Sequence, residues 1–210
     1  NKYARANYTY VQFDANGGVL GEDKVQAYDY NSPVTITSVP TRAGYTFLGW
    51  TADVEGAYED GEVPADVHQE VTLTAQWKKN EYTVTTVADP EKGGVTKGDG
   101  TYEHGTTVTV TAAANEGYTF NGWYENGEKV SADSAYSFTV TGDRTLIAKF
   151  VLNQYTVTTV ADPEKGGNLT GAGTYDYGET VTVTAAANEG YTFIGWYQDG
   201  TTVSTLSPAC

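Results

Sequence analysis

Two histidines and a run of carboxylates are the residues of this sequence whose types could support catalysis or metal binding. His68 and His104 lie at non-equivalent positions, and neither has a cysteine or clustered carboxylates at a ligand spacing. The carboxylates lack the alternating Asp/Asn pattern, the fixed Gly and the closing Glu of a calcium loop. They are Asp53, Glu55, Glu59, Asp60 and Glu62. We therefore predict no catalytic residue, no cofactor and no metal ligand, with a weak calcium site on these carboxylates as the alternative.

Aromatic residues form a second candidate site, because exposed Tyr and Trp rings can stack on sugars. A frame Gly-Tyr-Thr-Phe-x-Gly-Trp occurs three times, at residues 44–50, 117–123 and 190–196. Strict alternation along a strand would put its Phe and Trp on opposite faces, whereas a bulge at Gly122 would turn both inward. The variable position x holds Leu48, Asn121 and Ile194. Since x tolerates polarity while the aromatics do not vary, we predict core packing, with ligand binding as the alternative.

The three frames lie 73 residues apart, and a fixed period of that size indicates one folded unit copied in tandem. Residues 80–94 return almost unchanged as 153–167, and residues 107–116 return as 180–189. Together with an aromatic residue of each closing strand, the frames supply the predicted structural core of the repeats. These core residues are Tyr45, Phe47, Trp50, Trp77, Tyr118, Phe120, Trp123, Phe150, Tyr191, Phe193 and Trp196.

The period also predicts the domain boundaries. Repeat 1 covers residues 8–79, repeat 2 covers 80–152, and repeat 3 covers 153–210 and stops before its closing strands. Residues 1–7 match the tail of a preceding repeat and its linker. The chain is therefore expected to be a segment of a longer array of repeats. The single cysteine, Cys210, excludes internal disulfides and is interpreted as an added handle or a trimmed end.

The local pattern predicts strands and turns almost throughout. Residues 82–87 and 107–111 alternate Val with Thr, which is typical of half-buried strands. Residues 136–140 and 145–150 are predicted to pair as a hairpin through the turn at 141–143. Asn126-Gly127 and Asp199-Gly200 predict two further hairpins. Residues 63–70 are the one segment expected to form a helical turn, with Pro64 near its start.

The charge of the chain excludes some classes of partner. With 12 Lys and Arg against 27 Asp and Glu, the net charge is −15, whereas nucleic acid and anionic lipid require a basic face. No run of about 18 apolar residues is present, so we predict no membrane insertion. There is no signal segment and no methionine.

Three ordered motifs resemble a known family. Residues 10–18, 40–50 and 71–77 resemble the Listeria–Bacteroides repeat, also called the internalin B-repeat, and repeats 2 and 3 are similar to its divergent form. The resemblance implies a mainly β protein built of tandem β-grasp (ubiquitin-like) modules in an elongated array. It implies secreted or cell-wall-associated proteins of Gram-positive bacteria, used as stalks or in adhesion, without catalytic residues. In such surface domains Lys149 is the residue to check for a Lys–Asn cross-link.

Three functions stay open at this stage. A stalk or adhesion-associated spacer is favoured because the joints at 77–82 and 150–155 are short and contain neither Gly nor Pro. A binding module for a host glycan or surface protein would gain avidity from repetition. A fibre subunit would pair the open edges of repeat 3 with an incoming strand. In every case the expected partners include neighbouring repeats of a longer chain.

Overall fold

The computed structural model describes residues 8–21, 24–29 and 31–206, and within them the chain is mainly β. Two compact units are present. The first contains the described residues up to Val84 together with Asp99–Val108 and Ser137–Arg144. The second contains Thr85–Gly98, Thr109–Tyr136 and the described residues from Thr145 onward. The predicted tail at 1–7 and Cys210 lie outside the described residues.

Repeat 1 is built on a four-stranded mixed sheet. Its strands are β1 (Tyr8–Asp14), β2 (Val25–Asp29), β3 (Val34–Thr35), β4 (Tyr45–Ala52), β5 (Glu62–Val63) and β6 (Val71–Lys79). The sheet order is β2-β1-β6-β4, and β3 pairs with β5 separately. Strands β1 and β6 run parallel in the centre, while β2 and β4 flank them antiparallel. Turn signals reveal only sequential hairpins, so this parallel pair was not predicted from them.

Alternation along the strands places the core on one face of this sheet. In β6, Val71, Leu73 and Ala75 are fully buried, while the threonines between them are only half-buried. Val11 and Phe13 alternate in the same way on the neighbouring strand β1. Side chains two apart along a strand share a face, so the period of two produces one continuous apolar layer.

The second repeat forms the next group of strands. They are β7 (Glu81–Asp89), β8 (Gly94–Lys97), β9 (Gly100–Glu103), β10 (Thr107–Ala114), β11 (Tyr118–Glu125), β12 (Glu128–Ser131), β13 (Ala135–Thr139) and β14 (Arg144–Leu152). One sheet has the order β12-β11-β14-β7-β9, and another has the order β13-β10-β8. A short 3₁₀ helix, Glu91–Gly93, precedes β8. The strands predicted at 82–87 and 107–111 are confirmed within β7 and β10.

The hairpin predicted across 141–143 is wrong. Strands β13 and β14 both form close to the expected positions, but they belong to different sheets. The end of β13 is held elsewhere, because Val140 N donates to Thr106 O at 2.8 Å and its carbonyl accepts from Gly105 N at 2.7 Å. Asp143 then accepts a hydrogen bond from Thr83 N at 2.8 Å. The turn therefore carries the chain from one sheet to another instead of folding it back on itself.

The third repeat has shorter strands. They are β15 (Gln154–Val157), β16 (Gly167–Thr170), β17 (Gly173–Asp176), β18 (Thr184–Ala187), β19 (Trp196–Gln198) and β20 (Thr201–Ser204). They pair as β15-β17, β16-β18 and β19-β20. Both Asn-Gly and Asp-Gly hairpins are confirmed, at β11-β12 and β19-β20. In the first, Asn126 and Gly127 adopt positive φ angles of 51° and 87°, which is the conformation that a two-residue turn requires.

The helical turn expected at 63–70 is also wrong. Val63 belongs to β5, where it is fully buried and pairs with Val34. A single turn follows, closed by Val67 N donating to Pro64 O at 3.2 Å. The pairing of Val63 fixes an extended backbone at the point where a helix would have to begin.

Candidate functional site

The aromatic frame forms a bulged strand in repeats 1 and 2. In β11 the register against β14 shifts between Phe120 and Gly122, so two residues of the frame oppose one residue of its partner. The same shift occurs between Phe47 and Gly49 in β4. The bulge predicted at Gly122 is therefore confirmed. It brings Phe and Trp to the same side, and the Phe120 and Trp123 rings lie 6.0 Å apart.

Ten of the eleven predicted core aromatics lie in buried or half-buried positions. Trp50, Trp123 and Phe150 are buried. Seven others are half-buried, namely Tyr45, Phe47, Trp77, Tyr118, Phe120, Phe193 and Trp196. Tyr191 is 37% exposed. The variable position x points the other way, because Leu48 is 62% exposed and Ile194 is 72% exposed. This exposure explains why x accepts either an apolar or a polar side chain.

The joint between repeats 1 and 2 is organised by Asn80, whose role the sequence did not reveal. Its backbone N–H donates to Gly44 O at 2.9 Å, and its carbonyl accepts from His104 N at 2.8 Å. Its side-chain Oδ1 accepts from Thr46 Oγ1 at 2.6 Å. One linker residue is thus bonded to the aromatic frame of repeat 1 and to the turn after β9 of repeat 2.

The joint between repeats 2 and 3 repeats this arrangement on Asn153. The backbone N–H of Asn153 donates to Gly117 O at 2.8 Å, and its carbonyl accepts from Tyr177 N at 2.8 Å. Thr119 Oγ1 donates to Asn153 Oδ1 at 2.6 Å. The same three bonds therefore occur at both joints, at positions one period apart.

An aromatic ring of the following repeat covers the first glycine of the first two frames. Gly44 has a φ of +75° and lies against the His104 ring, while Gly117 has a φ of +79° and lies against the Tyr177 ring. A Cβ at either glycine would fall inside that ring's van der Waals radius. Only glycine combines a positive φ, which other residues rarely adopt, with the absence of a Cβ that would collide with the ring. At the third frame, Gly190 has a φ of +82° with open space around it.

Further contacts differ between the two joints. In the first, Lys79 and Glu103 form an exposed salt bridge at 3.1 Å, which contributes little to stability. In the second, the Tyr177 hydroxyl donates to Glu116 Oε1 at 2.5 Å. This hydrogen bond, followed by desolvation and the negative charge of Glu116, raises the pKa of Tyr177. The phenol therefore keeps its proton in the joint at neutral pH.

The residues first considered for chemistry have other surroundings. His104 is the joint residue described above, and its buried Nδ1 has no hydrogen-bond partner within the described part of the chain. His68 is exposed. Among residues 8–21, 24–29 and 31–206, no three His, Cys, Asp or Glu side chains lie together as a metal site would require. Lys149 holds its Nζ 4.6 Å from the centre of the Tyr124 ring, a cation–π contact.

Comparison with known proteins identifies the repeats. Residues 82–154 and 155–209 match the divergent InlB B-repeat domain, and residues 8–76 match the Listeria-Bacteroides repeat domain. The chain belongs to the divergent InlB B-repeat family. The B-repeats thus include both glycine frames that take part in the joints. No solved structure matches the chain.

Three relatives match the chain over part of their own length. A protein of Evansella cellulosilytica described as a Gly-rich membrane protein is 30% identical over 90% of this chain and 21% of its own length. A second membrane protein of that organism is 30% identical over 89% of the chain and 28% of its own length. Internalin H of Listeria monocytogenes is 34% identical over 59% of the chain and 22% of its own length. The chain thus spans about a quarter of these relatives. None of the helices in its described residues is long and apolar enough to cross a membrane.

Proposed function

We propose that this B-repeat chain is a non-catalytic spacer, or stalk, in an extracellular protein of a Gram-positive bacterium. The observation that carries the proposal is the Asn-centred joint, built with the same three hydrogen bonds at Asn80 and Asn153. A spacer holds the domains at its two ends at a fixed distance only if its joints resist bending. An enzyme or a flexible tether has no need of identical joints at each period.

The joint restrains both sides of the linker. The backbone of Asn80 bonds to repeat 1 through its N–H and to repeat 2 through its carbonyl, so neither bond can be kept if the repeats rotate freely. The His104 ring packed on Gly44 also hinders rotation of one repeat against the other by steric contact. Flexible linkers are rich in Gly and Ser, whereas the joint at residues 77–82 contains neither. Because the same geometry recurs one period later, we propose an elongated array.

The sheet of repeat 1 supports assignment to the β-grasp (ubiquitin-like) class. Its first and last strands, β1 and β6, are parallel neighbours at the centre, with β2 and β4 antiparallel outside them. Parallel neighbours require a long crossover connection, and the described residues between 15 and 70 provide it without an α-helix. We propose that the divergent repeats share this plan.

The proposed location at the cell surface or cell wall follows from the relatives. One is named an internalin and two are described as membrane proteins. The net charge of −15 fits a crowded, solvated surface on which repeats must not associate at random. Adhesion is the second role that this location would allow.

A binding module for a host glycan or surface protein is the alternative. It requires a patch that recurs on each repeat, yet the exposed position of each frame carries a different residue, Leu48, Asn121 or Ile194. The features that do recur are the joint contacts. They favour a spacer over a repeated binding surface.

Small-angle X-ray scattering over a concentration series tests the proposal. A repeat of about 70 residues has a radius of gyration near 11 Å, so three in line would extend roughly 80–100 Å. The spacer predicts a rod of that length at every concentration. A particle with the radius of gyration of a compact 210-residue protein, about 17 Å, would contradict it.

A further inference from the structure

Asparagine followed by glycine is a chemically reactive pair, and this chain contains three such pairs. They are Asn16-Gly17, Asn121-Gly122 and Asn126-Gly127. Glycine carries no side chain, so its backbone nitrogen can approach the side-chain amide of the preceding asparagine closely. The fold then decides which pair reacts, because the backbone must rearrange locally before the two groups meet.

The pair Asn16-Gly17 is held by several contacts. Asn16 Nδ2 donates to Ala75 O at 3.0 Å, and the Asn16 backbone N–H donates to Asp14 Oδ1 at 2.8 Å. The Asn16 carbonyl accepts from Arg42 Nη1 at 3.1 Å. The side-chain amide must therefore leave its carbonyl partner on β6 before the glycine nitrogen can attack it, and this costs at least one hydrogen bond.

The pair Asn121-Gly122 lies inside the bulged strand β11. Asn121 is exposed, but Gly122 is buried and pairs with Lys149 of β14. A Cβ on Gly122 would lie 2.8 Å from Ser131 O of β12. The backbone nitrogen of Gly122 can therefore move only if β11 separates from its neighbouring strands.

The pair Asn126-Gly127 forms the turn between β11 and β12. Both residues are exposed, and no atom lies within 4 Å of the place that a Cβ on Gly127 would take. Strand β12 has four residues and is the outermost strand of its sheet, where it pairs with β11. Exposed elements with few buried contacts open locally at the lowest free energy, so this turn can rearrange without disturbing the core.

We propose that Asn126-Gly127 is a self-modification site, at which the chain converts its own asparagine into an acidic residue. The Gly127 nitrogen attacks Cγ of Asn126, the Cγ–Nδ2 bond breaks, and the glycine N–H proton leaves with Nδ2 as ammonia. Water then opens the resulting five-membered imide at one of its two carbonyls. The product is aspartate or isoaspartate, and in isoaspartate the backbone runs through the side-chain carbon. This reaction requires only water, and it is independent of the spacer role because the turn lies outside both joints.

The third repeat shows that an aspartate fits this turn. Asp199-Gly200 lies one period later, and its φ angles of 49° and 79° are close to the 51° and 87° of Asn126-Gly127. It also closes a hairpin, between β19 and β20. Isoaspartate adds one carbon to the backbone, which disrupts the close match of a two-residue turn to its strands. We therefore expect the aspartate product to keep the pairing of β12 and the isoaspartate product to release it.

Ageing of the intact chain in mildly alkaline buffer, followed by peptide mapping with mass spectrometry, tests the proposal. Each deamidation raises the mass by about 1 Da, and electron-transfer fragmentation distinguishes isoaspartate from aspartate. We expect Asn126 to react about 5- to 10-fold faster than Asn16, the factor that corresponds to one hydrogen bond, and Asn121 to react most slowly. In the chain unfolded by denaturant, all three pairs should react at similar rates. This control separates the effect of the fold from that of the dipeptide.

Two variants test the reaction and its products. Asn126→Gln keeps the amide but closes an imide ring far more slowly, so it should abolish the reaction at this turn. Asn126→Asp installs one product directly and should keep slow amide hydrogen exchange in β12. The isoaspartate fraction of the aged chain should lose that protection.

Three results would overturn the proposal. One is a reaction of Asn16 or Asn121 in the folded chain that is as fast as that of Asn126. Another is persistence of Asn126 in the folded chain while all three pairs react in the unfolded chain. The third is unchanged exchange of β12 in the isoaspartate form, which would overturn the predicted release of this strand.

Discussion

At the scale of single residues, the first glycine of the first two frames contributes to two repeats at once. Gly117 turns the chain into β11 with a φ of +79°, and its bare Cα receives the Tyr177 ring of the next repeat. Gly190 has nearly the same φ, +82°, but no atoms lie within 4 Å of the place a Cβ would take. The backbone requirement and the packing requirement can therefore be separated by experiment.

Replacing Gly117 by Ala should destabilise the chain more than replacing Gly190 by Ala. Both substitutions force a residue with a side chain into the left-handed region, at about 1–2 kcal/mol. Gly117→Ala alone also overpacks the joint, which adds about 1–3 kcal/mol. Hydrogen exchange at the amides of Asn153 and Tyr177 measures the difference. Equal effects of the two variants would contradict the role given to the ring contact.

The hydroxyl of Tyr177 should titrate above the usual range of tyrosine. Its hydrogen bond to Glu116 favours the protonated phenol and raises its pKa. This contact is therefore fully present below pH 10 and is lost as the pH rises through the raised pKa. Glu116→Ala should lower the pKa of Tyr177, followed by NMR of the labelled ring. Glu189→Ala, one period later, is the control and should leave it unchanged.

The burial of the aromatic residues could be predicted from the sequence, whereas the contacts at the joint could not. Aromatic residues and the bulge at Gly122 follow from local alternation, which a single stretch of chain contains. Asn80 gains its role only when Gly44 and His104, which are distant in sequence, come together on it. Its recurrence at position 153 was visible as part of the repeat, but the partners were not.

At the scale of elements, the bulged strand sets which side chains face the core. The extra residue in β11 turns Asn121 outward and leaves Phe120 and Trp123 on the packed side. Trp123 is fully buried and donates its Nε1 hydrogen to Ser134 O at 3.2 Å. Trp50 also donates its Nε1 hydrogen to a serine carbonyl, Ser38 O at 3.1 Å, although this serine lies on the other side of the tryptophan in the sequence. The bulge in the frame thus allows one strand to place two aromatic rings on the same, core-facing side.

Substitutions at Trp123 and Asn121 should differ sharply in cost. Trp123→Ala leaves a cavity and should lower the free energy of unfolding of repeat 2 by about 3–5 kcal/mol. Asn121→Leu introduces the residue of repeat 1 at an exposed position and should change it by less than about 0.5 kcal/mol. Hydrogen exchange of β11 and β14 reports both. A large effect of Asn121→Leu would mean that the bulge does not turn this residue outward.

Strand positions were predictable from the sequence, but strand partners were less so. Alternation of Val with Thr located the ends of β7 and β10 within three residues. The pairing of β1 with β6 depends on packing across the 56 intervening residues 15–70, which no local pattern encodes. The turn at 141–143 resembles a hairpin turn, yet Val140 bonds instead to Gly105 and Thr106. Long-range contacts decided both cases.

At the scale of the whole molecule, the period of 73 residues predicts the repeats directly, whereas the stiffness that we propose for the array would depend on the joints. Neighbouring units in a repeat protein gain stability and orientation from contacts between nearest neighbours. Here those contacts converge on Asn80 and Asn153. Replacing either residue by Pro, which removes its N–H and its side-chain acceptor together, should loosen one joint and leave the folded repeats intact.

The most direct test of this claim is the distribution of distances across the first joint. Spin labels on cysteines replacing Val39 and Val95, which are 67% and 53% exposed, report it by double electron–electron resonance in a Cys210→Ser background. We expect a narrow distribution for the parent chain and no change for the control Asn121→Ala. We expect a broad distribution for Asn80→Pro, which loses both the N–H bond to Gly44 and the side-chain bond from Thr46. A distribution that is broad in the parent chain, or equally narrow in Asn80→Pro, would contradict a spacer whose rigidity comes from this joint.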